Sequence, residues 1–490
     1  MTTGRSAAPK ILAAAIGLGI AADSLFRAPV WGVNVPVFVF SLAAWTCRLG
    51  ARTHAGPRSR WPWLAACGFA AMWVFLDTPS LLACDLLAAL CLLSFPLIER
   101  RGVTLRAAGA VELLLAPARA IGHTVGGAAG LLLRDVKWTE TFGPGQLRTM
   151  RATAGGLALS VPIVLLFGSL FVSADPTFEG AVGAVFALTA GPVFGHVAST
   201  GVAAWLTAGY LRAIVVTRPP DSRAPTQSPV GLIPVAMALA AMVLVFTLFV
   251  AAQAGSLFRG EAYVTAHVGL TFAEYARRGF FELVAASALA LPVVYVAPHL
   301  AGALNAAAER SLRALQSVAL GLVALVALSA LWRLRLYVDA YGLTEDRLYG
   351  SAIIAWIGAT IGVFSRTMLA GRPQRTAHGA MLAAVVVLAL LNAANPSALI
   401  ARVNLGRTGT GAVDASYLAT LGAEAVPVIT ARIPEMDAEA RCAAAKRLVE
   451  RWSAEPQGDW RGWNVARARA RSALSALGWV AAPCASQQSS

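Results

Sequence analysis

Residues 230–252 read VGLIPVAMALAAMVLVFTLFVAA, with no charged side chain among them. A helix of that length rises about 34 Å at 1.5 Å per residue, enough to cross the roughly 30 Å hydrocarbon core of a bilayer. The rest of the chain repeats this pattern. Of 490 residues, 57% are hydrophobic and 13% are charged, against roughly 25% charged in soluble domains. So little charge cannot coat a water-facing surface, which excludes a soluble enzyme, a disordered protein and a disulfide-stapled mini-domain. The fold class expected is all-α: a polytopic transmembrane helical bundle, since a helix satisfies its own backbone in lipid.

Charged residues punctuate eleven expected spans. The first four lie between Lys10 and Arg27, between Arg27 and Arg48, from Trp61 to Leu76, and between Asp77 and Glu99. The fifth lies between Arg151 and Asp175, the sixth runs from Phe194 to Leu211, and the seventh is the stretch from Val230 to Ala252. The eighth runs from Gly279 to Pro298, the ninth and tenth lie between Arg313 and Arg333 and between Arg347 and Arg366, and the last runs from Ala377 to Ala394. The basic start and the apolar run Ile11–Ile20 resemble a signal peptide, but a second apolar run follows at once, so an uncleaved anchor is expected.

The formal net charge is +15, from 40 Lys and Arg against 25 Asp and Glu. These charges sit in short loops rather than on one face, which argues against a nucleic-acid partner and for cytoplasmic retention of basic loops. With the N-terminus inside, the inward segments hold 22 basic residues and the outward loops 7. An odd number of spans then places the C-terminus outside. One stretch tests this reading. Leu113–Leu133 is apolar but carries Arg119 and His123 near its middle, each costly at a bilayer centre. It is read as a helix lying on the inner membrane face, within a cytoplasmic loop.

Four regions follow: a four-span region 1–98, a cytoplasmic loop 99–151, a seven-span core 152–395 and an extracytoplasmic domain 396–490. The last lacks any run long enough to span. Asn395 reads as a helix cap with Pro396 in the first turn. Tyr417, Leu418 and Leu421, then Val426, Val428 and Ile429, then Leu448, Val449 and Trp452 read as short amphipathic helices separated by Pro427 and Pro434, with a small core of their own. Cys442 and Cys484 lie in this region and form a disulfide if they approach within bonding geometry. Cys47, Cys67, Cys84 and Cys91 lie in or beside spans and read as small apolar residues.

Five segments look familiar together: 166–178 (LFGSLFVSADPTF), 275–283 (YARRGFFEL), 335–344 (RLYVDAYGLT), 395–402 (NPSALIAR) and 459–464 (DWRGWN). In this order and spacing they resemble the uncharacterised bacterial polytopic membrane proteins grouped as domain of unknown function 4153/4173, over roughly residues 160–470. The resemblance implies a bacterial plasma membrane and no particular activity.

No phosphate-cradling loop occurs, because the three lysines (Lys10, Lys137, Lys446) follow Pro, Val and Ala. No acyltransferase-type His–Asp pair occurs, and the first outward loop lacks an acidic pair. The histidines (54, 123, 196, 267, 299 and 378) are scattered and read as lone packed or interfacial residues, so neither a metal nor a cofactor is expected. The best polar constellation faces outward: Glu274, Arg278 and Glu282 at i, i+4 and i+8, flanked by Tyr275 and Arg277, with Arg333, Arg335 and Asp339 from the loop after the ninth span. It is either a charge ladder holding two helices in register or an arginine-lined pocket for an anionic lipid or solute. Asp23 and Asp85 are intramembrane carboxylates, functional candidates by position; Asp23 is close enough to the outer end to reach water. The functions left open are a non-enzymatic sensor or scaffold, engaging a membrane or periplasmic protein through residues 396–490, or a transporter. The competing class is an enzyme acting on a lipid-linked or anionic lipid at the outer leaflet. No inverted repeat, common in transporters, is visible.

Overall fold

The computed structural model describes residues 7–52, 59–100, 103–106, 108–136, 191–216, 230–268, 280–407, 415–436, 438–453 and 458–476, with scattered positions between 149 and 180. Among these residues every regular element is helical. The main helices are α1 (Ala8–Phe26), α2 (Asn34–Arg52), α3 (Trp61–Phe75), α4 (Pro79–Ser94), α5 (Ala110–Gly130), α6 (Gly191–Val215), α7 (Leu232–Val268), α8 (Phe280–Ala301), α9 (Ala306–Tyr341), α10 (Glu345–Leu369) and α11 (Thr376–Ala394). Five shorter ones follow: α12 (Pro396–Leu405), α13 (Ala415–Thr420), α14 (Val426–Arg432), α15 (Ala438–Ser453) and α16 (Val465–Ser475). Proline sits in the first turn of α1, α3, α4, α12 and α14, where its missing N–H has no intrahelical partner to lose. Thus Pro427 lies in the first turn of a helix rather than between helices, whereas Pro434, in the 3₁₀ turn Ile433–Glu435, does separate α14 from α15.

Seven described helices are long and apolar enough to cross a membrane: Ala8–Phe26, Pro79–Arg100, Leu232–Gln253, Phe280–Ala301, Ala306–Tyr341, Glu345–Met368 and Pro373–Ala394. Trp61–Phe75 is apolar but has only 15 residues. The second and sixth expected spans fall on α2 and α6, which are helical without meeting that measure. The fifth lies largely outside the described residues. The chain is therefore an apolar helical membrane bundle.

Side-chain contacts divide the bundle into two ends. At one end, Tyr210 of α6 donates to the Leu93 carbonyl of α4 at 2.8 Å, Trp63 meets Tyr210, and Trp61 meets His378. Tyr295 of α8 meets Phe364 of α10 there. Ala8, Ile11, Leu49, Trp63, Leu92 and Leu211 share one core at this end. A second core gathers Leu239, Leu283, Val294, Val323 and Ile357 from α7 to α10.

Helix α5 packs on α6 and α4. Its first residue, Ala110, donates its N–H to the Tyr295 hydroxyl at 3.3 Å. Its other end meets α6, where Gly127 faces Gly209 and Gly130 faces the Arg212 guanidinium. Trp205 donates to the Val125 carbonyl at 2.8 Å. Residues 124–130 of α5 thus run alongside α6 from Trp205 to Arg212. At Gly209 any Cβ would overlap the Thr124 carbonyl, so glycine is required for this approach. Leu114, Ile121 and Val125 are exposed on the other side of α5.

The opposite end of the bundle carries α12 to α16. Asn395 takes a left-handed φ of 54° and accepts from Ala398 N at 3.3 Å, so Pro396 opens α12 as the sequence indicates. Ile400, Leu418, Ile429, Leu448, Trp452 and Ala470 form one core. That core also takes in Leu343 from the α9–α10 turn, so it is shared with the bundle rather than separate.

Candidate functional site

The C-terminal helices form a cap whose polar side chains bond to the ends of the bundle helices. A helix N-terminus presents N–H groups with no partner inside the helix, and it attracts a carboxylate through the helix dipole. The N-terminus of α4 takes Glu424: its Oε1 accepts from Asp77 N and from Thr78 N, the latter at 3.3 Å. The Thr78 hydroxyl lies 2.8 Å from that of Ser397, which accepts from Gly422 N at 3.1 Å. Gly422 leaves room for this group, since a Cβ there would lie 2.5 Å from Glu424 Oε2. Burial pushes the Glu424 carboxyl above its ordinary value, against the lowering effect of the backbone donors.

Helix α10 is treated similarly. Tyr417 accepts from Glu345 N at 3.1 Å, and Ser80 bonds both Glu345 Oε2, at 3.0 Å, and the Tyr349 hydroxyl, at 2.8 Å. Burial raises the Tyr417 hydroxyl. Gly342 ends α9 at φ 80°, and Asn404 of α12 pairs with both backbone groups of Leu343, at 2.7 and 2.8 Å.

The segment 459–464 latches the loops before α2 and α4. Asn464 donates to the carbonyls of Trp73 and Leu76, at 2.8 and 2.7 Å, and caps α16 by accepting from Arg467 N. Arg467 donates to the Trp31 carbonyl at 2.7 Å and pairs with Asp77 at 3.3 Å. Arg461 donates to the Ser24 carbonyl and is held by Asp459, which accepts at 2.6 to 3.0 Å and is kept below its ordinary value by Arg461.

Asp23 does not simply reach water. It accepts from Arg27 at 2.7 Å, lies 2.5 Å from His196 Nδ1 and bonds the Ser199 hydroxyl, tying α1 to α6. His196 is therefore not the lone histidine expected. Asp85 is fully buried against Asn392 of α11.

A cavity of about 560 Å³ opens beside the cap, lined among others by Phe280, Phe281, Tyr337, Glu345, Arg347 and Tyr417. The Arg347 guanidinium lies 3.8 Å over the Tyr337 ring and donates to the Gly342 carbonyl. Of the outward cluster expected from the sequence, Glu282, Arg335 and Asp339 are exposed and Arg333 is buried. Glu274, Tyr275, Arg277 and Arg278 lie outside the described residues. Sequence reasoning reads Tyr417 only as part of an amphipathic helix and does not single out Tyr337 or Glu424, although Tyr337 falls within the RLYVDAYGLT segment.

A family model described as a domain of unknown function (DUF4153) matches residues 63–431. The chain belongs to that family. No curated protein and no solved structure matches it. The family region begins well before the five familiar segments and stops short of Asp459. It contains the Glu424–Thr78–Ser397 junction, the Tyr337–Arg347 cavity and the Asp85–Asn392 pair, while the 459–464 latch lies beyond it.

Proposed function

We propose that this member of the family is a multi-pass protein of a bacterial inner membrane, crossing eleven times, with its N-terminus in the cytoplasm and its C-terminal cap outside. It works without catalysis, as a sensor or scaffold that presents the cap to a membrane or periplasmic partner. The observation carrying this reading is the junction at Glu424, where the cap supplies the N-terminal capping group of a bundle helix. A force or ligand acting on the cap is thereby transmitted to α4 without an intervening flexible joint.

The orientation rests on several supports. Ala8 and the C-terminal cap lie at opposite ends of the bundle, which supports an odd number of crossings between them. Leu114, Ile121 and Val125 give α5 an exposed apolar side suited to a membrane surface. Cys442 is disulfide-bonded, which suits an oxidising compartment; Cys484 lies outside the described residues. Exposed Trp31, Trp460 and Trp463 sit at the cap end, where a membrane interface favours tryptophan. The cavity beside the cap supports a second reading, recognition of an anionic lipid headgroup by Arg347 with the outward arginines, either as a bound lipid or as the substrate of an enzyme.

Alkaline-phosphatase fusions test the orientation: a fusion after residue 490 is active and one at Ser222 is silent. A silent C-terminal fusion on a membrane-inserted chain overturns it. The scaffold reading predicts that a chain ending at Ala394 inserts but fails to complement a deletion strain. Full complementation by that chain overturns the role of the cap.

A further inference from the structure

Asp85 and Asn392 form a buried pair that is incomplete as an ionised one. The Asn392 amide nitrogen donates to Asp85 Oδ1 at 2.8 Å and to the Leu388 carbonyl at 2.9 Å. Both amide hydrogens are thereby used, and turning the amide over would press its oxygen against the Leu388 carbonyl. The orientation of Asn392 is fixed. Two polar atoms then remain, Asp85 Oδ2 and Asn392 Oδ1, both buried and both without a hydrogen-bond partner. They belong to the same two side chains, and both are acceptors when the carboxyl is ionised. Buried acceptors are costly to leave unsatisfied, and a buried charge needs a partner.

Among the described residues no cation is placed to compensate. Helix α3, packed on α4, carries no charged residue and has Cys67 as its only thiol. On α11 the single titratable group is His378, at the far end against Trp61. On α10, Glu345, Asp346, Arg347 and Tyr349 sit at the cap end, with Glu345 and Tyr349 bonded to Ser80, while Arg366 sits at the opposite end. Cys84 and Cys91 lie on α4 itself, Glu99 and Arg100 follow its other end, and α5, which also packs on α4, carries Glu112, Arg119 and His123.

We propose that Asp85 is held as the neutral acid, its Oδ2–H donating to Asn392 Oδ1, and that this reciprocal acid–amide pair is a proton-binding site inside the bundle. One proton satisfies both orphaned oxygens at once. Its release breaks the Oδ2–H bond, delivers one proton to water and leaves two oxygens facing each other across α4 and α11. Thr78 at the start of α4 bonds Ser397 of α12, the helix that directly follows α11. Protonation at Asp85 is thus coupled by packing to the cap junction about two turns away. The inference is independent of which end faces the cytoplasm.

Infrared difference spectroscopy of the full-length protein in lipid nanodiscs tests this. The expected result at neutral pH is a carboxylic-acid carbonyl band that shifts in D₂O and is lost in Asp85→Asn. In Asn392→Ala the band moves to higher frequency, as an acid that has lost its acceptor. Asp85→Asn places a neutral amide of the same shape against Asn392 and retains the fold. Carbon-13 labelling of aspartate in the unmodified chain tests the same assignment without a variant, because the band must shift with the label, and it excludes Glu424 as the source. Identical spectra for the unmodified chain and Asp85→Asn, or a neutral-pH acid band unmoved by labelled aspartate, would overturn the proposal.

Discussion

The side-chain amide of Asn464 donates to the Leu76 carbonyl at 2.7 Å although 388 residues separate them in sequence. The same amide reaches Trp73 O, and its oxygen caps α16. One side chain therefore meets the last carbonyls of α3 and starts α16. Asn464→Ala is expected to destabilise the cap by about 2 kcal/mol, from the lost cap and two buried carbonyls left without donors. Asn464→Asp keeps the capping acceptor but turns a carboxylate oxygen onto two buried carbonyl oxygens, so it is expected to destabilise at least as much as Asn464→Ala. Limited proteolysis of the purified protein reads the effect as faster cleavage within residues 396–476.

Glu424 gives the cap a pH dependence. Because burial raises its carboxyl, the folded state binds the proton more tightly than the unfolded state does. Its contribution is therefore most favourable on the acid side and declines as pH rises above the ordinary value of 4.5. Glu424→Gln keeps an acceptor for Thr78 N without a charge to bury, so its unfolding temperature loses that decline and at neutral pH is no lower than that of the unmodified protein. Glu424→Ala removes the acceptor and costs about 1–3 kcal/mol at any pH. Thermal unfolding of the three proteins across pH separates these outcomes.

The α5–α6 contact depends on a missing methyl group. Gly209→Ala would force a Cβ into the Thr124 carbonyl, whereas Gly201, on the same helix, has nothing within 4 Å of its Cβ position. Gly209→Ala is expected to cost about 2–3 kcal/mol or to prevent accumulation, as overpacking against backbone does. Gly201→Ala should be neutral or slightly stabilising through helix propensity. Equal unfolding temperatures for the two variants would mean that α5 does not pack on α6 at this point.

Cysteine labelling discriminates the cap from the bundle. Cys47, Cys67, Cys84 and Cys91 are free thiols, and Cys442 is disulfide-bonded. In denatured, unreduced protein a maleimide should modify the first four and spare Cys442. Labelling of Cys442 should appear only after reduction, as read by peptide mass. Modification of Cys442 without reductant would remove this support for an extracytoplasmic cap.

Much of the architecture was legible because hydropathy is local. Twenty consecutive apolar residues specify a buried or lipid-facing helix wherever they occur in the chain, and ten of the expected apolar runs fall on described helices. The Asn395–Pro396 helix start was readable for the same reason, since a cap and a first-turn proline act within four residues.

What the site residues do was decided by distance in space. Glu424 lies 346 residues from Thr78, so nothing near either residue announces that one caps the helix of the other. His196 and Asn392 gave no signal in sequence, because a polar residue near a helix end ordinarily meets water. Only the packing of α6 on α1 and of α11 on α4 supplies Asp23 and Asp85 as their partners, 173 and 307 residues away. Periodicity determined which segments are helices, since each helix closes its own hydrogen bonds. Tertiary packing decided which helix ends and buried polar atoms meet, because a buried donor or acceptor must find its partner wherever the chain has brought one.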